Sequence, residues 1–202
     1  MRMLILASLF AASVAHADDL SVSSAADELG DQGVGAMTGV ATGGRVTAGG
    51  VRIDGHYLYQ LTSKDWFDGT AAFTIGSGDV ACSRDRSAAD PMDVMTCDHG
   101  IADGAAVELA AGVRRMFPGQ GAFRPFVRGA IGISYTRFAN DDVAGVAFPL
   151  HLGGGVRAKV SEGVALVGIA ELTVGLGRFG RGLETEPQLG LAITAGAEFR
   201  LR

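Results

Sequence analysis

The C-terminal segment of this chain constrains its fold more than any other feature. From Leu189 to Leu201 every odd-numbered residue is apolar, whereas the even-numbered residues are glycine, alanine or polar. Successive side chains of a strand point to opposite faces, so this period of two predicts a β-strand with one apolar and one polar face. The segment is also longer than the about five to six residues of an ordinary strand. A long two-faced strand of this kind is typical of a β-barrel that crosses a membrane.

The same alternation recurs along the chain and predicts eight strands. The predicted strands are Gly33–Thr42, Arg45–Thr62, Trp66–Gly76, Ala105–Phe117, Phe123–Phe138, Ala144–Val160, Val164–Gly177 and Leu189–Arg202. Tight turns rich in glycine, serine and proline alternate with longer connections at 78–103, 139–143 and 178–187. We therefore predict an all-β fold, an eight-stranded antiparallel up-and-down transmembrane β-barrel, with short turns and both termini in the periplasm.

Alternation alone does not say which face meets water. A soluble lipocalin-like barrel buries its apolar face, whereas a membrane barrel turns it outward to lipid. The apolar face carries no charge in mid-strand, since Arg115, Arg137 and Arg178 all lie near strand ends. Aromatic residues also lie near strand ends, and two interfacial girdles are expected. The predicted girdle residues are Tyr57, Tyr59, Phe67, Phe117 and Phe199 at the turn end, and Phe73, Tyr135, Phe148 and Phe179 at the loop end.

The polar face of a membrane barrel of eight strands fills the lumen with side chains. Both signs of charge occur on this face, so we expect a cross-linked ionic plug. The predicted members are Arg52, Asp54, His56, Asp68, Glu108, Arg114, Arg124, Arg128, His151, Arg157, Lys159, Glu171, Glu198 and Arg200. A narrow porin-like channel for small solutes is the alternative use of such a lumen.

The first seventeen residues have the pattern of a secretory signal. Arg2 precedes an apolar core, and Ala15-His16-Ala17 fits a small-residue cleavage site. We predict a signal peptide at 1–17, a periplasmic lead-in at 18–32 and the barrel domain at 33–202. The net charge of −5 without a basic patch argues against a nucleic-acid partner.

With these features the chain resembles the small eight-stranded outer-membrane proteins, the family of the OmpA transmembrane domain and the OmpX and OmpW types. The final strand resembles the C-terminal signal that the barrel-assembly machinery binds, although Leu201 and Arg202 follow Phe199. The resemblance implies an outer-membrane location, outer-membrane lipid and lipopolysaccharide as neighbours, and a structural or surface-interaction role. An extracellular ligand would bind at the 78–103 loop.

Little in the chain indicates catalysis. Cys82 and Cys97 lie in the 78–103 loop, and in an oxidising compartment we predict a disulfide between them. These two cysteines with His99 do not complete a zinc site, so neither a metal nor a cofactor is expected. His56, His99 and His151 pair with no serine on a suitable face, which disfavours a lipid A-modifying enzyme. A soluble periplasmic ligand carrier is the other alternative.

Overall fold

The computed structural model describes residues 31–43, 46–76, 82–85, 94–97, 104–138, 143–180 and 185–201, with 82–85 and 94–97 described by their backbone. The described strands are β1 (Gln32–Thr42), β2 (Gly50–Gln60), β3 (Asp65–Ile75), β4 (Cys82–Asp85), β5 (Val94–Cys97), β6 (Ala105–Met116), β7 (Phe123–Phe138), β8 (Val143–Ser161), β9 (Val164–Phe179) and β10 (Thr185–Arg200). The predicted signal peptide and most of the predicted lead-in lie outside the described residues.

Eight of these strands close into a barrel. The order around it is β1-β10-β9-β8-β7-β6-β3-β2, and every neighbouring pair is antiparallel. Closure leaves no barrel strand with a free edge, which a structure surrounded by lipid requires. The prediction of an all-β, eight-stranded antiparallel barrel is confirmed.

The two ends of the barrel differ in their connections. The turn end has the connections 61–64, 117–122 and 162–163. The first residue of β1 and the last residue of β10 also lie at this end. The loop end has the connections 43–49, 76–104, 139–142 and 180–184. Only 76–104 is much longer than the turns, because β9 and β10 extend further toward the loop end than the alternation predicted.

Within the 76–104 connection lies a second, two-stranded sheet that the sequence reasoning did not predict. It consists of β4 and β5, which are too short for alternation to identify. Their register sets Cys82 directly opposite Cys97. The backbone thus brings together the two cysteines for which a disulfide is predicted.

Burial follows the alternation, with the apolar face outward. In β7, for example, Arg124 and Arg128 are buried, whereas Val127, Ile131 and Tyr135 are exposed. The same inversion occurs around the described barrel, where thirty-two large apolar side chains are exposed. Such a continuous apolar surface marks contact with a membrane or a partner rather than with water. No helix in the described part of the chain is long and apolar enough to span a membrane.

One of the residues predicted for the aromatic girdles lies inside the barrel rather than on its outer surface. Phe179 is buried in the barrel, although its predicted place was among the exposed aromatics of the loop end. Its strand continues two residues beyond the predicted end, which places Phe179 on the inward parity. The ring occupies the space left by two glycines, because a Cβ on Gly145 or Gly177 would approach ring atoms of Phe179 to 2.4 or 2.6 Å.

Candidate functional site

The barrel interior is the most distinctive site in the described structure. Five arginines, five carboxylates and two histidines are buried there, so the charges of the arginines and carboxylates cancel. The buried members of the predicted set are Arg52, Asp54, His56, Asp68, Glu108, Arg114, Arg124, Arg128, His151, Arg157, Glu171 and Glu198. Lys159 and Arg200 are exposed, because both lie at the turn end of the barrel and Lys159 borders a register shift in β8.

On the loop-end side of this ionic network, Arg52 is the central cation. Its Nε lies 2.7 Å from Asp54 Oδ1, and its Nη2 lies 2.9 Å from Glu108 Oε1. His151 joins the same group to β9, with Nδ1 3.1 Å from Glu171 Oε1 and Nε2 3.4 Å from Glu108 Oε1. The imidazole ring therefore lies between two carboxylates.

Asp68 is the central anion of the network. Arg114 donates from Nε to Asp68 Oδ2 at 3.0 Å, and Arg128 Nε lies 3.2 Å from the same oxygen. The other oxygen, Oδ1, lies 2.8 Å from His56 Nδ1 and accepts a hydrogen bond from the Thr70 hydroxyl at 3.2 Å. A fully buried carboxylate with this many donors is well compensated for the loss of water.

Two further ion pairs connect these groups across the lumen. Arg128 pairs with Glu171, and Arg114 pairs with Glu198. Glu198 also accepts from Arg157 Nε at 3.2 Å. The resulting network draws charged side chains from seven of the eight barrel strands, all except β1. Asp68, Glu108, Glu171 and Glu198 each face cations from other strands, so the network links strands through side chains as well as through the backbone. Asp54 pairs with Arg52 on its own strand.

An apolar cluster fills the lumen toward the turn end. Arg114 stacks on it, with its guanidinium carbon 4.5 Å from the centroid of the Phe126 ring. The sequence prediction did not include this cluster. Its members on β2, β3, β6, β7 and β9 share the inward parity with charged residues of the same strands, and this parity was the signal available. The cluster comprises Met37, Leu58, Trp66, Met116, Phe126, Val167 and Ile169.

Toward the loop end the lumen is more open. A cavity of about 40 Å³ lies above the ionic network, and its lining includes five threonines, Ser134, Gln188 and several alanines. A second cavity, of about 10 Å³, lies among Asp54, His56 and Arg128. The second has room for about one water molecule.

Residues 46–49, which precede β2, fold inward over the larger cavity. Val46 and Ala48 are buried, and Gln188 donates from Nε2 to the Val46 carbonyl at 3.1 Å. Val46 has a φ of 50°, which is strained for a β-branched residue. This inward fold explains why β2 begins at Gly50 rather than at the predicted Arg45.

The histidines of the interior do not form a catalytic triad that a substrate could reach. His56 uses one nitrogen, Nδ1, toward both the Asp68 carboxylate and the Thr70 hydroxyl, whereas a relay requires both ring nitrogens. His151 contacts the Thr173 hydroxyl at 3.2 Å but is fully buried within the network. Among the described residues, no group of histidine, cysteine, aspartate and glutamate side chains could hold a metal ion. His99 lies outside the described residues.

No protein-family model and no curated protein matches the chain. Neisserial surface protein A (NspA) aligns over 85% of this chain and 97% of its own, with a TM-score of 0.59 and 12% sequence identity.

Two further solved structures align less well. Ail, the attachment invasion locus protein of Yersinia pestis, covers 84% of this chain and 99% of its own at 11% identity, with a TM-score of 0.41. The outer membrane protease OmpT of Escherichia coli covers 91% and 99% at 8% identity, with a TM-score of 0.38. The likeness to NspA and the closed strand order together show that this chain has the fold of the small eight-stranded outer-membrane β-barrels.

Proposed function

We propose that this protein is an integral outer-membrane β-barrel that serves the structure or the surface interactions of the cell envelope. The observation that carries the proposal is the inverted distribution of side chains. Charged groups are buried in the lumen, and large apolar groups cover the outer wall. In water this arrangement would forgo hydrophobic burial worth about 25 cal/mol per Å² of apolar surface. In lipid it is the stable arrangement.

The height of the apolar band supports the membrane assignment. Along β7 the outward positions run from Phe123 to Tyr135 before Arg137 ends the series. At about 3.4 Å per residue and a tilt of about 40°, these positions span roughly 30 Å along the barrel axis. The hydrocarbon core of a bilayer is about 30 Å thick, so band and bilayer match.

The content of the lumen favours a plug over a channel. The ionic network crosses the interior of the barrel, and the apolar cluster packs beside it, mainly toward the turn end. Opening a path for solutes would require some of these buried ion pairs to separate. Breaking one buried pair costs about 3–5 kcal/mol. The two described cavities are about 40 and 10 Å³, which is water-sized space.

The loop end is the proposed surface for interactions. Its 76–104 connection is the longest in the barrel and contains the β4–β5 sheet. We propose that a disulfide between Cys82 and Cys97, which the register sets opposite each other, fixes this hairpin as a recognition element. An extracellular partner would bind there, while the C-terminal strand would be recognised by the barrel-assembly machinery.

We propose that the protein is not an enzyme. Both described histidines contact buried carboxylates, and the two cavities described in the lumen, of about 40 and 10 Å³, are far smaller than a lipid substrate. Comparison of the lipid A acyl pattern in cells with and without the protein tests this. An unchanged pattern is expected, and a specific change in acyl chains would contradict the proposal.

A gel-mobility experiment tests the membrane-barrel proposal. Protein folded in dodecyl maltoside should keep its barrel in cold SDS, because closed barrels of this type unfold there only on heating. Heated and unheated samples should therefore migrate differently, and the protein should fractionate with outer membranes. Recovery in the soluble fraction without a mobility shift would refute the proposal and favour the soluble carrier.

Planar-bilayer recording separates the plug from the channel. The plug predicts no discrete conductance steps above the empty bilayer from a heat-modifiable sample. Discrete conductance steps whose number rises with protein concentration would instead support the narrow porin-like channel.

Limited proteolysis of intact cells tests the orientation. Added protease should cleave within 78–103, because this loop is proposed to lie outside. The turn at 162–163 should be cleaved only after the cells are opened. The reversed pattern would show that the turn end faces outward.

A further inference from the structure

Three arginines occupy outward positions of the barrel wall near its ends, and they differ in their neighbours. At the turn end, Arg115 on β6 lies directly across from Asp65 on β3. Its Nε is 3.4 Å from Asp65 Oδ1, so this exposed cation has a partner on the protein itself.

The two arginines of the loop end have no such neighbour among the described residues. Arg137 on β7 pairs with Ala105 on one side and Ala144 on the other. Arg178 on β9 pairs with Val146 and with Thr185. Both arginines are exposed, and no acidic residue is their cross-strand partner.

Both arginines lie at the edge of the apolar band. Each is the penultimate residue of its strand. The preceding outward residue is Tyr135 in β7 and Leu176 in β9, and both are exposed apolar side chains of the band. This depth corresponds to the boundary between acyl chains and headgroups, where an arginine costs only about 0–1 kcal/mol.

The two arginines are also close enough to act together. They lie two strands apart, and their partners on β8, Ala144 and Val146, are two residues apart. With about 4.8 Å between strands and 3.4 Å per residue, their Cα atoms are separated by roughly 12 Å. Side chains of this length can therefore bind one phosphorylated headgroup from two sides.

We propose that Arg137 and Arg178 form a binding site for a phosphate-bearing lipid of the leaflet at the loop end. A guanidinium group binds phosphate through two parallel hydrogen bonds, and such charge-assisted bonds are among the strongest in proteins. The exposed ring of Tyr135 packs beside the lipid below its headgroup. This inference rests on the proposed function, because it requires lipid at the outer wall.

Native mass spectrometry of the full chain in dodecyl maltoside, titrated with diphosphoryl lipid A, tests the site. The double variant R137A/R178A should bind the lipid at least about tenfold more weakly, because each arginine supplies charge-assisted hydrogen bonds. The variant R137K/R178K keeps the charges and should lose less affinity than the alanine variant. R115A is the matched control, since Arg115 is equally outward but paired with Asp65, and its affinity should stay within about twofold of wild type.

The outcomes separate the site from the proposed function. Equal binding by R137A/R178A and wild type, with both heat-modifiable, would overturn the site and leave the barrel intact. An equal loss in R115A would also overturn it, because any outward arginine would then suffice. Displacement of the lipid by inorganic phosphate at the same concentration would show a phosphate site rather than a lipid site. Failure of the wild type to fold as a heat-modifiable barrel would instead refute the proposed function.

Discussion

Two consecutive residues, Arg114 and Arg115, lie on opposite sides of the barrel wall. Replacing each in turn therefore tests how much a buried and an exposed arginine contribute to the free energy of unfolding. Arg114 is fully buried and paired with Asp68 and Glu198. Arg115 is 56% exposed in its side chain and faces Asp65 at 3.4 Å. Replacement of each by methionine removes the charge and keeps a long apolar side chain.

The expected magnitudes differ widely. Loss of Arg114 leaves two carboxylates buried with one fewer cation each, and breaking a buried pair costs about 3–5 kcal/mol. Glu198 keeps Arg157, and Asp68 keeps His56 and Arg128, so the lower part of this range is expected. The unfolding equilibrium should shift by roughly 10²- to 10³-fold. Loss of the exposed Arg115 should cost about 0–1 kcal/mol.

Urea titration of the folded protein in vesicles, read by the heat-modifiable band, measures both free energies of unfolding. The variant R114M should be much less stable than R115M. The double variant R114M/E198L should not be more stable than R114M, because it also removes the carboxylate that accepts a hydrogen bond from the buried Arg157. Equal costs at the two positions, or a larger cost at Arg115, would refute the assignment of inner and outer faces.

The loop cysteines and two glycines of the barrel wall give three more tests. Cys82 and Cys97 should give no free thiol when the exported protein is denatured without reductant and treated with a maleimide, and thiol labelling of both would refute the disulfide. Replacing Gly145 by valine should destabilise the barrel, because a Cβ there lies 2.4 Å from both the Arg178 carbonyl oxygen and the Phe179 ring. Gly168→Ala should be tolerated in the same urea titration, since a Cβ at Gly168 meets nothing within 4 Å; a comparable loss in both variants would contradict this.

The barrel could be predicted from the sequence because its main determinant is local. A period of two places residues on alternate faces regardless of which strands become neighbours. The strand Phe123–Phe138 was therefore predicted with the bounds that the structure has. Charged residues such as Arg114 and Glu198 were assigned to the lumen by the same rule.

The pairing within the lumen could not be predicted, because it depends on the register between strands. Arg114 contacts Glu198, a residue eighty-four positions away, only because barrel closure brings β6 and β10 into reach across the interior. Inward parity alone also does not show whether a side chain is buried. Lys159 has the inward parity but lies at the turn end, where its side chain is exposed.

Side chains that depart from the average pattern caused the remaining errors. Phe179 is aromatic and close to a strand end, which is typical of a girdle, yet glycines on the inner wall make room for it inside. The segment around Val46 was predicted as strand but folds over the loop end. In both cases a side chain enters the lumen because other segments leave room for it there. The alternation of apolar and polar residues does not predict where such room exists.

The central claim is that lipid contacts the apolar face of the barrel, and tryptophan quenching measures this directly. Ile131 is 70% exposed at the middle of β7, whereas the native Trp66 is fully buried in the lumen. In vesicles, a tryptophan introduced by I131W in a W66F background should be quenched strongly by lipids brominated near the acyl-chain centre and little by aqueous iodide. Native Trp66 should respond weakly to both. Strong quenching of the introduced tryptophan by iodide, with none by brominated lipid, would contradict the account.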